Sequence, residues 1–247
     1  MLSRNEIKRI QSLSKKKVVQ DTHLFVAEGV RIAKEMLLTE NSIEIRKIYA
    51  LPHWESKLAG YKSSLTIVTE KELSQISGLS SPNEIMIVAV KPSPKPPGVL
   101  KKGWTLVLDG IQDPGNMGTL IRTAHWFGMT RIVASKDTVS LYNQKVIQSA
   151  MGSFLRIPVS YVNLAGWLQK QILPVFGAVL GGGDINGYNT PQDGLLIIGN
   201  EGKGIRPDVI PHITCSVSIL GSGHVESLNA AVAGGILMHW CHNCFRN

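Results

Sequence analysis

Three stretches in the second half of the chain carry side chains that could act on a ligand, and each follows an apolar run. The first is Asp109-Gly110-Ile111-Gln112-Asp113-Pro114-Gly115-Asn116-Met117-Gly118, leading to Arg122-Thr123-Ala124. It reads as a strand, a turn-rich loop and a helix whose first turn holds Asn116 or Thr119. Arg122 lies one turn further in, where a long side chain can reach back toward the loop. A capped connection with a surface arginine would look the same from spacing alone. The second is Gly199-Asn200-Glu201-Gly202-Lys203-Gly204, whose glycines let the backbone turn sharply and approach a ligand closely. A purely structural turn is the plainer alternative. The third is Gly223-His224-Val225-Glu226-Ser227-Leu228-Asn229-Ala230-Ala231-Val232-Ala233, with Ser227 a plausible N-cap for an apolar helix of small residues. His224 alone reads as a solvated loop histidine.

These patterns exclude some chemistry. No G-x-G-x-x-G opens a helix, which argues against a dinucleotide-dependent oxidoreductase, and the Gly-Lys of the second stretch lacks P-loop spacing. Cysteines stand at 215, 241 and 244 only, too few for a disulfide framework and in keeping with a reducing compartment. Cys241 and Cys244 have C-x-x-C spacing, but no second pair completes a zinc site, so no metal is expected. No apolar run approaches the roughly 18 residues that span a bilayer, and the basic N-terminus is not followed by a signal-peptide core. A cytoplasmic protein without membrane contact is expected.

Net charge is +8, with a pI of about 9.4. Arg4, Lys8, Arg9, Lys15, Lys16 and Lys17 crowd the first seventeen residues against Glu6 alone. Such a cluster can neutralise phosphates and release their counterions, which points to nucleic acid.

The elements that must carry these residues divide at Lys91-Pro92-Ser93-Pro94-Lys95-Pro96-Pro97-Gly98, where closely spaced prolines favour an extended linker. Domains over 1–97 and 98–247 are expected, both of ordinary size. The first reads as mixed α/β, with helices over 3–13, 29–38 and 70–77 (capped by Thr69) and strands near 24–28, 45–50, 64–68 and 85–90. In the second, strands at 104–109, 131–134, near 159, 175–180, 195–199 and 215–220 alternate with helices at 117–127, 143–150, 164–172 and 227–240. Regular alternation predicts a mostly parallel sheet covered on both faces, binding ligands beyond the carboxyl ends of its strands. Gly181-Gly182-Gly183 makes that rim irregular.

Taken in order, the three stretches resemble the SPOUT superfamily, and in particular its SpoU (TrmH-like) branch of RNA 2′-O-methyltransferases. The first carries that family's D-P-x-N-x-G followed by R-T-A, the second its G-x-E-G-x-G, and the third its E-S-L-N-x-x-V-A. The resemblance spans nearly all of 104–240. Phe25-Val26-Ala27-Glu28-Gly29 with Arg31 resembles the substrate-binding domain of ribosomal RNA members, which has an L30e-like fold. In one departure, Leu220-Gly221 stands where family members often have Pro-Met after the isoleucine matching Ile219, on the adenine side of the pocket.

The resemblance implies an α/β fold with a deep trefoil knot, a rare exception to the rule against knots. It implies a homodimer through the C-terminal helix, and S-adenosyl-L-methionine held in the knot loops by Gly199, Asn200, Glu201, Gly202, Ile219, Leu220 and Leu228. It also implies methyl transfer to an RNA 2′-hydroxyl, with Arg122 at the hydroxyl, Asn116 orienting Arg122 and the ribose, and Glu201, Ser227 and Asn229 completing the polar cluster. Arg4, Lys8, Arg9, Lys15, Lys16, Lys17 and Arg31 would contact RNA, with ribosomal RNA of the 23S type the expected substrate. Transfer RNA is the alternative, and an RNA-binding protein with an inactive methyltransferase fold the alternative of another class.

Overall fold

A computed structural model describes residues 1–39, 43–93 and 97–243. Residues 94–96 of the expected proline linker lie outside the described residues. The chain forms two compact units. One comprises Met1–Ser93 with Ser140–Leu155, the other Pro94–Val139 with Arg156–Asn247.

The first unit begins with α1 (Arg4–Ser12), where the Ser3 hydroxyl accepts the Glu6 N–H as an N-cap. Next come α2 (Lys16–Thr22), β1 (Leu24–Glu28), α3 (Val30–Leu38), β2 (Ile45–Ala50), β3 (Leu65–Ile67), α4 (Glu70–Ile76) and β4 (Ile85–Val90). Apolar periodicity does not mark α2, because only two apolar residues, Val18 and Val19, lie on its buried side. Helix α4 starts in a capping box between Thr69 and Glu72, in line with the cap expected at Thr69. The sheet runs β1-β4-β2-β3, antiparallel except for the β2–β3 pair. Its core gathers Ile10, Leu13, Val26, Tyr49, Leu73, Ile76, Met86 and Val88.

In the second unit β5 (Trp104–Asp109) leads to α5 (Pro114–Trp126) and β6 (Arg131–Ser135). The following α6 (Gln144–Ala150) belongs to the first unit: Phe25 packs against Tyr142 with ring centroids 4.8 Å apart and the rings tilted, and Gln148 Nε2 donates to the Glu28 carbonyl. The expectation of one uninterrupted domain over 98–247 therefore differs from the structure at 140–155. Apolar contacts with β1, distant in sequence, decide where that segment packs. The chain returns through β7 (Val159–Val162), α7 (Leu164–Leu168), β8 (Val175–Asp184), β9 (Gly194–Gly199), β10 (Cys215–Ser218) and α8 (Ala230–Asn243).

Six strands lie in the order β10-β8-β9-β5-β6-β7, and every adjacent pair is parallel. Leu106, Val107, Leu108, Leu195, Leu196 and Ile197 are fully buried, as central parallel strands covered on both faces require. One face packs against Leu164, Trp167 and Leu168 of α7 and against Val209. On α5, Leu120 closes on Gly234 of α8 so tightly that a Cβ there would displace it. Helix α7 stops at Leu168 rather than reaching 172. Helix α8 begins at Ala230 rather than Ser227.

After β5 the chain moves outward through β6 and β7. After β7 it crosses to the other side and fills β8, β9 and β10. Strands β5 and β9 are thus the neighbours between which the winding reverses. The loops leaving their carboxyl ends meet there, at the end of the sheet where folds of this kind bind ligands.

Candidate active site at the strand switch point

Asp113, Asn116, Glu201 and Asn229 converge at this switch point from three loops. The Asp113 carboxylate caps α5 by accepting the Asn116 N–H at 2.8 Å, and Pro114 fills the first helical position, where a missing N–H costs nothing. Asn116 is thereby held in the first turn with its side chain half-buried. Its Nδ2 donates to Glu201 Oε1 at 2.9 Å, and its Oδ1 accepts from Asn229 Nδ2 at 3.0 Å. Asn229 Oδ1 accepts the N–H groups of Ala231 and Val232 at 2.9 and 3.3 Å. The N-cap of α8 is therefore Asn229 and not Ser227, because only Asn229 lies directly before the first free N–H groups of the helix.

Glu201 sits on a tight loop after β9. Asn200 and Gly204 exchange main-chain hydrogen bonds of 3.0 and 2.9 Å across it. Asn200 Oδ1 accepts from the N–H groups of Gly202 and Lys203, and Asn200 Nδ2 donates to the Gly110 carbonyl at 2.7 Å. The loop leaves no room beside Gly199, where a Cβ would overlap the Gly204 carbonyl carbon and the Ile205 nitrogen. Gly204 takes φ +68, a conformation glycine adopts without strain.

Beneath the loop lies a charge pair that motif spacing does not reveal. Asp109, at the end of β5, is wholly buried. Its oxygens accept the Arg206 main-chain N–H at 2.8 Å and Arg206 Nε at 2.7 Å. Arg206 Nη1 also stands 3.5 Å from Asp137 Oδ1. The Ser135 hydroxyl holds the Asp137 carboxyl below its usual range, helped by Arg206 and Lys203. The available signal was an aspartate ending an otherwise apolar, fully buried strand, since a buried charge must find a partner.

The remaining expected residues are less engaged. Arg122 is exposed on α5, six residues past Asn116 and so about 9 Å further along the axis. Among the described residues it makes no hydrogen bond or ion pair with Asn116, Glu201 or Asn229. Ser227 and Leu228 are exposed in the irregular segment 219–229, as is Leu220, while Ile219 is half-buried. Among the described residues, no main-chain hydrogen bond involves residues 219–228. Arg4, Lys8, Arg9, Lys15, Lys16 and Lys17 are all exposed around α1 and the start of α2, and Arg31 is exposed on α3. Cys241 is buried and Cys244 lies outside the described residues. Among the described residues no group of three metal-ligating side chains occurs, and no helix is long and apolar enough to cross a membrane.

A recess of about 300 Å³ adjoins Arg206 and is lined by Lys136, Asp137, Asn163 and Asp208. A larger one, about 620 Å³, opens among Gln171, Pro174, His212 and Cys215. It lies at the amino-terminal ends of β8 and β10, opposite the end where such sheets bind ligands.

Comparisons with known proteins bear on this site. Residues 103–239 match the SpoU rRNA Methylase family, and residues 4–87 match an MRM3-like substrate binding domain. The chain is 29% identical to the 23S rRNA (guanosine(2553)-2′-O)-methyltransferase RlmP of Bacillus subtilis, over 95% of this chain and 94% of that one. Among solved structures, it is similar to a Porphyromonas gingivalis protein assigned to the TrmH family of RNA methyltransferases (TM-score 0.86, 32% identity, 98% of both chains). It is also similar to an rRNA methyltransferase from Sinorhizobium meliloti with AdoMet bound (TM-score 0.88, 25% identity, 98% of this chain and 97% of that one).

Proposed function

The chain belongs to the SpoU rRNA methylase family, and from that membership we propose that it methylates a ribose 2′-hydroxyl in ribosomal RNA of the 23S type, using S-adenosyl-L-methionine. The observation that carries this reading is the hydrogen-bonded series Glu201–Asn116–Asn229, which joins the three motif-bearing loops at the switch point of the sheet.

The residues present suit the cofactor. Segment 219–228 has main-chain donors and acceptors unused by the backbone, and Asn229 ties its end to the glycine loop after β9 through Asn116. Gly199, Glu201, Gly202, Ile219, Leu220 and Leu228 would hold the cofactor there. Asn200 would act by shaping the loop, since its carboxamide is already committed on both sides. When bound, S-adenosylmethionine supplies an electrophilic methyl group on sulfur.

This chain must then align the ribose and stabilise the negative charge that grows on O2′ as its proton passes to water or to a substrate phosphate and the methyl group passes from sulfur to that oxygen. Arg122 would meet that oxygen. An arginine stays protonated under essentially all conditions, so it serves as a fixed cation rather than a general base. Asn116 would orient the ribose, with its own amide held by Glu201 and Asn229. Ser227 would join them from the neighbouring loop.

We read the catalytic unit as knotted near its C-terminus. Supporting this is the match of residues 103–239 to the SpoU rRNA Methylase family. The N-terminal unit is read as L30e-like and RNA-binding, the role implied by its match to a substrate-binding domain and by the exposed cations of α1, α2 and α3. A homodimer through α8 is supported by exposed Val232 and Ile236, one turn apart, with Trp126 exposed on α5. The protein would work in the cytoplasm.

The test incubates the protein with methyl-labelled S-adenosylmethionine and unmodified ribosomal or transfer RNA, then digests each RNA to nucleosides. Label in a 2′-O-methyl nucleoside from ribosomal RNA is the expected result. Label only from transfer RNA would overturn the substrate class. Binding of cofactor without transfer to either would favour a particle substrate or a binding protein.

A further inference from the structure

The Asp109–Arg206 pair does something the motif residues cannot do for themselves. Asp109 and Gly110 are consecutive residues at the carboxyl end of the central strand β5, and between them they hold both ends of the loop that carries Glu201. The Gly110 carbonyl takes Asn200 Nδ2, just before Glu201. The Asp109 carboxylate takes the main-chain N–H and Nε of Arg206, just after the turn at Gly204. Gly110 is itself fixed, with φ +75 and its N–H on the Ser135 and Thr138 hydroxyls at 2.9 and 3.2 Å. The same β5 end leads through the Asp113 cap to Asn116, the partner of Glu201. Both sides of the Asn116–Glu201 contact are therefore referenced to one short piece of main chain.

Burying a carboxylate is costly, and a buried ion pair often adds little stability over an apolar pair of the same shape. A well-placed charge here is better explained by the position it sets. The main-chain N–H at 206 would be kept by any residue but proline, whereas the planar guanidinium aims Nε at Asp109 and Nη1 toward Asp137 together, which a lysine point charge cannot reproduce.

We propose that Asp109 and Arg206 are positioning residues that clamp the loop over 200–206 to β5 and so set where Glu201 meets Asn116. This rests on the methyltransferase reading above, yet the clamp itself can be measured without any substrate. Neither residue touches the reacting atoms; they act through Glu201 and through the main chain of the loop.

The experiment compares the full chain with Arg206→Ala, Arg206→Lys and Asp109→Asn. Amide hydrogen exchange at Gly202, Lys203 and Gly204 is followed in the free protein, alongside the melting temperature. Single-turnover methyl transfer at saturating cofactor and RNA is measured on the same samples. Arg206→Ala should speed exchange in the loop while the strands of the sheet stay protected. It should also slow transfer on the order of tenfold to a hundredfold, the effect of misplacing a reacting group by about an ångström. Arg206→Lys should recover part of both effects. Wild-type exchange and transfer in Arg206→Ala would overturn the proposal. So would a loss of transfer that merely tracks melting of the whole sheet, with no recovery in Arg206→Lys. Should the wild-type protein bind cofactor but methylate neither naked RNA nor assembled ribosomal particles, the functional reading fails, and the exchange data alone still decide whether the pair clamps the loop.

Discussion

Asn116 has both halves of its carboxamide committed, and the direction of every bond in its network follows from one charge. A carboxylate only accepts, so Asn116 must offer its Nδ2 to Glu201 and is left with Oδ1 facing Asn229. Asn229 must then donate there and has only Oδ1 left for the α8 N–H groups. Arg122 stands apart as an exposed cation able to meet an incoming oxygen. Arg122→Ala should accordingly leave the cofactor dissociation constant near that of wild type while cutting single-turnover transfer by about two to three orders of magnitude, as losing a preorganised charge at a developing oxyanion does. Comparable rates in mutant and wild type, measured with labelled cofactor, would remove Arg122 from the chemistry.

At the scale of the elements, two helix starts do more than begin a helix. Asn229 caps α8 and also reaches α5, and the two tasks can be separated. Asn229→Ala should cost about 1 kcal/mol of stability for the lost cap and also lose transfer. Asn229→Asp keeps an acceptor at the helix N-terminus, where negative charge is favourable, but cannot donate to Asn116. It should melt near wild type and still transfer poorly; wild-type transfer in this variant would make the Asn116 bond dispensable. In the other unit, Thr69 and Glu72 close the start of α4, and Leu2 N–H adds a further bond to Glu72. These N–H groups, Thr69 first, draw the Glu72 pKa from 4.5 to about 2. Since the folded value is the lower one, the stability Glu72 contributes is complete above pH 4.5 and is lost as pH falls toward about 2. Thermal melts across that window should fall more steeply for wild type than for Glu72→Gln, and parallel slopes would rule Glu72 out.

Across the whole molecule, net charge is +8 and the exposed cations at positions 4, 8, 9, 15, 16 and 17 belong to the N-terminal unit. An RNA complex held by them should weaken as salt rises. Replacing Lys15, Lys16 and Lys17 together by alanine should lower the slope of log affinity against log salt by roughly 0.7–0.9 for each phosphate that is no longer neutralised. Equilibrium binding to ribosomal RNA at several salt concentrations gives that slope, and an unchanged slope would take these lysines out of the interface. Asn116→Ala in the other unit should leave the slope unaltered, because an uncharged carboxamide at one ribose neutralises no phosphate.

Much of this protein was legible in its sequence because local rules govern it. Apolar runs of strand length bounded by glycine and polar turns locate the ten strands of the described residues to within a few positions. The Thr69 cap and the order of the three motif loops are likewise local. Periodicity cannot find α2, nor can it tell that Asn229 rather than Ser227 caps α8, since both are good caps and only the path of the preceding loop chooses between them. Nor can it send Ser140–Leu155 to the first unit or join Asp109 to Arg206, which are 97 residues apart. Sequence spacing reports which face of an element a residue occupies. Which distant charge a buried carboxylate meets is decided only when the winding of the sheet reverses between β5 and β9 and brings their loops side by side.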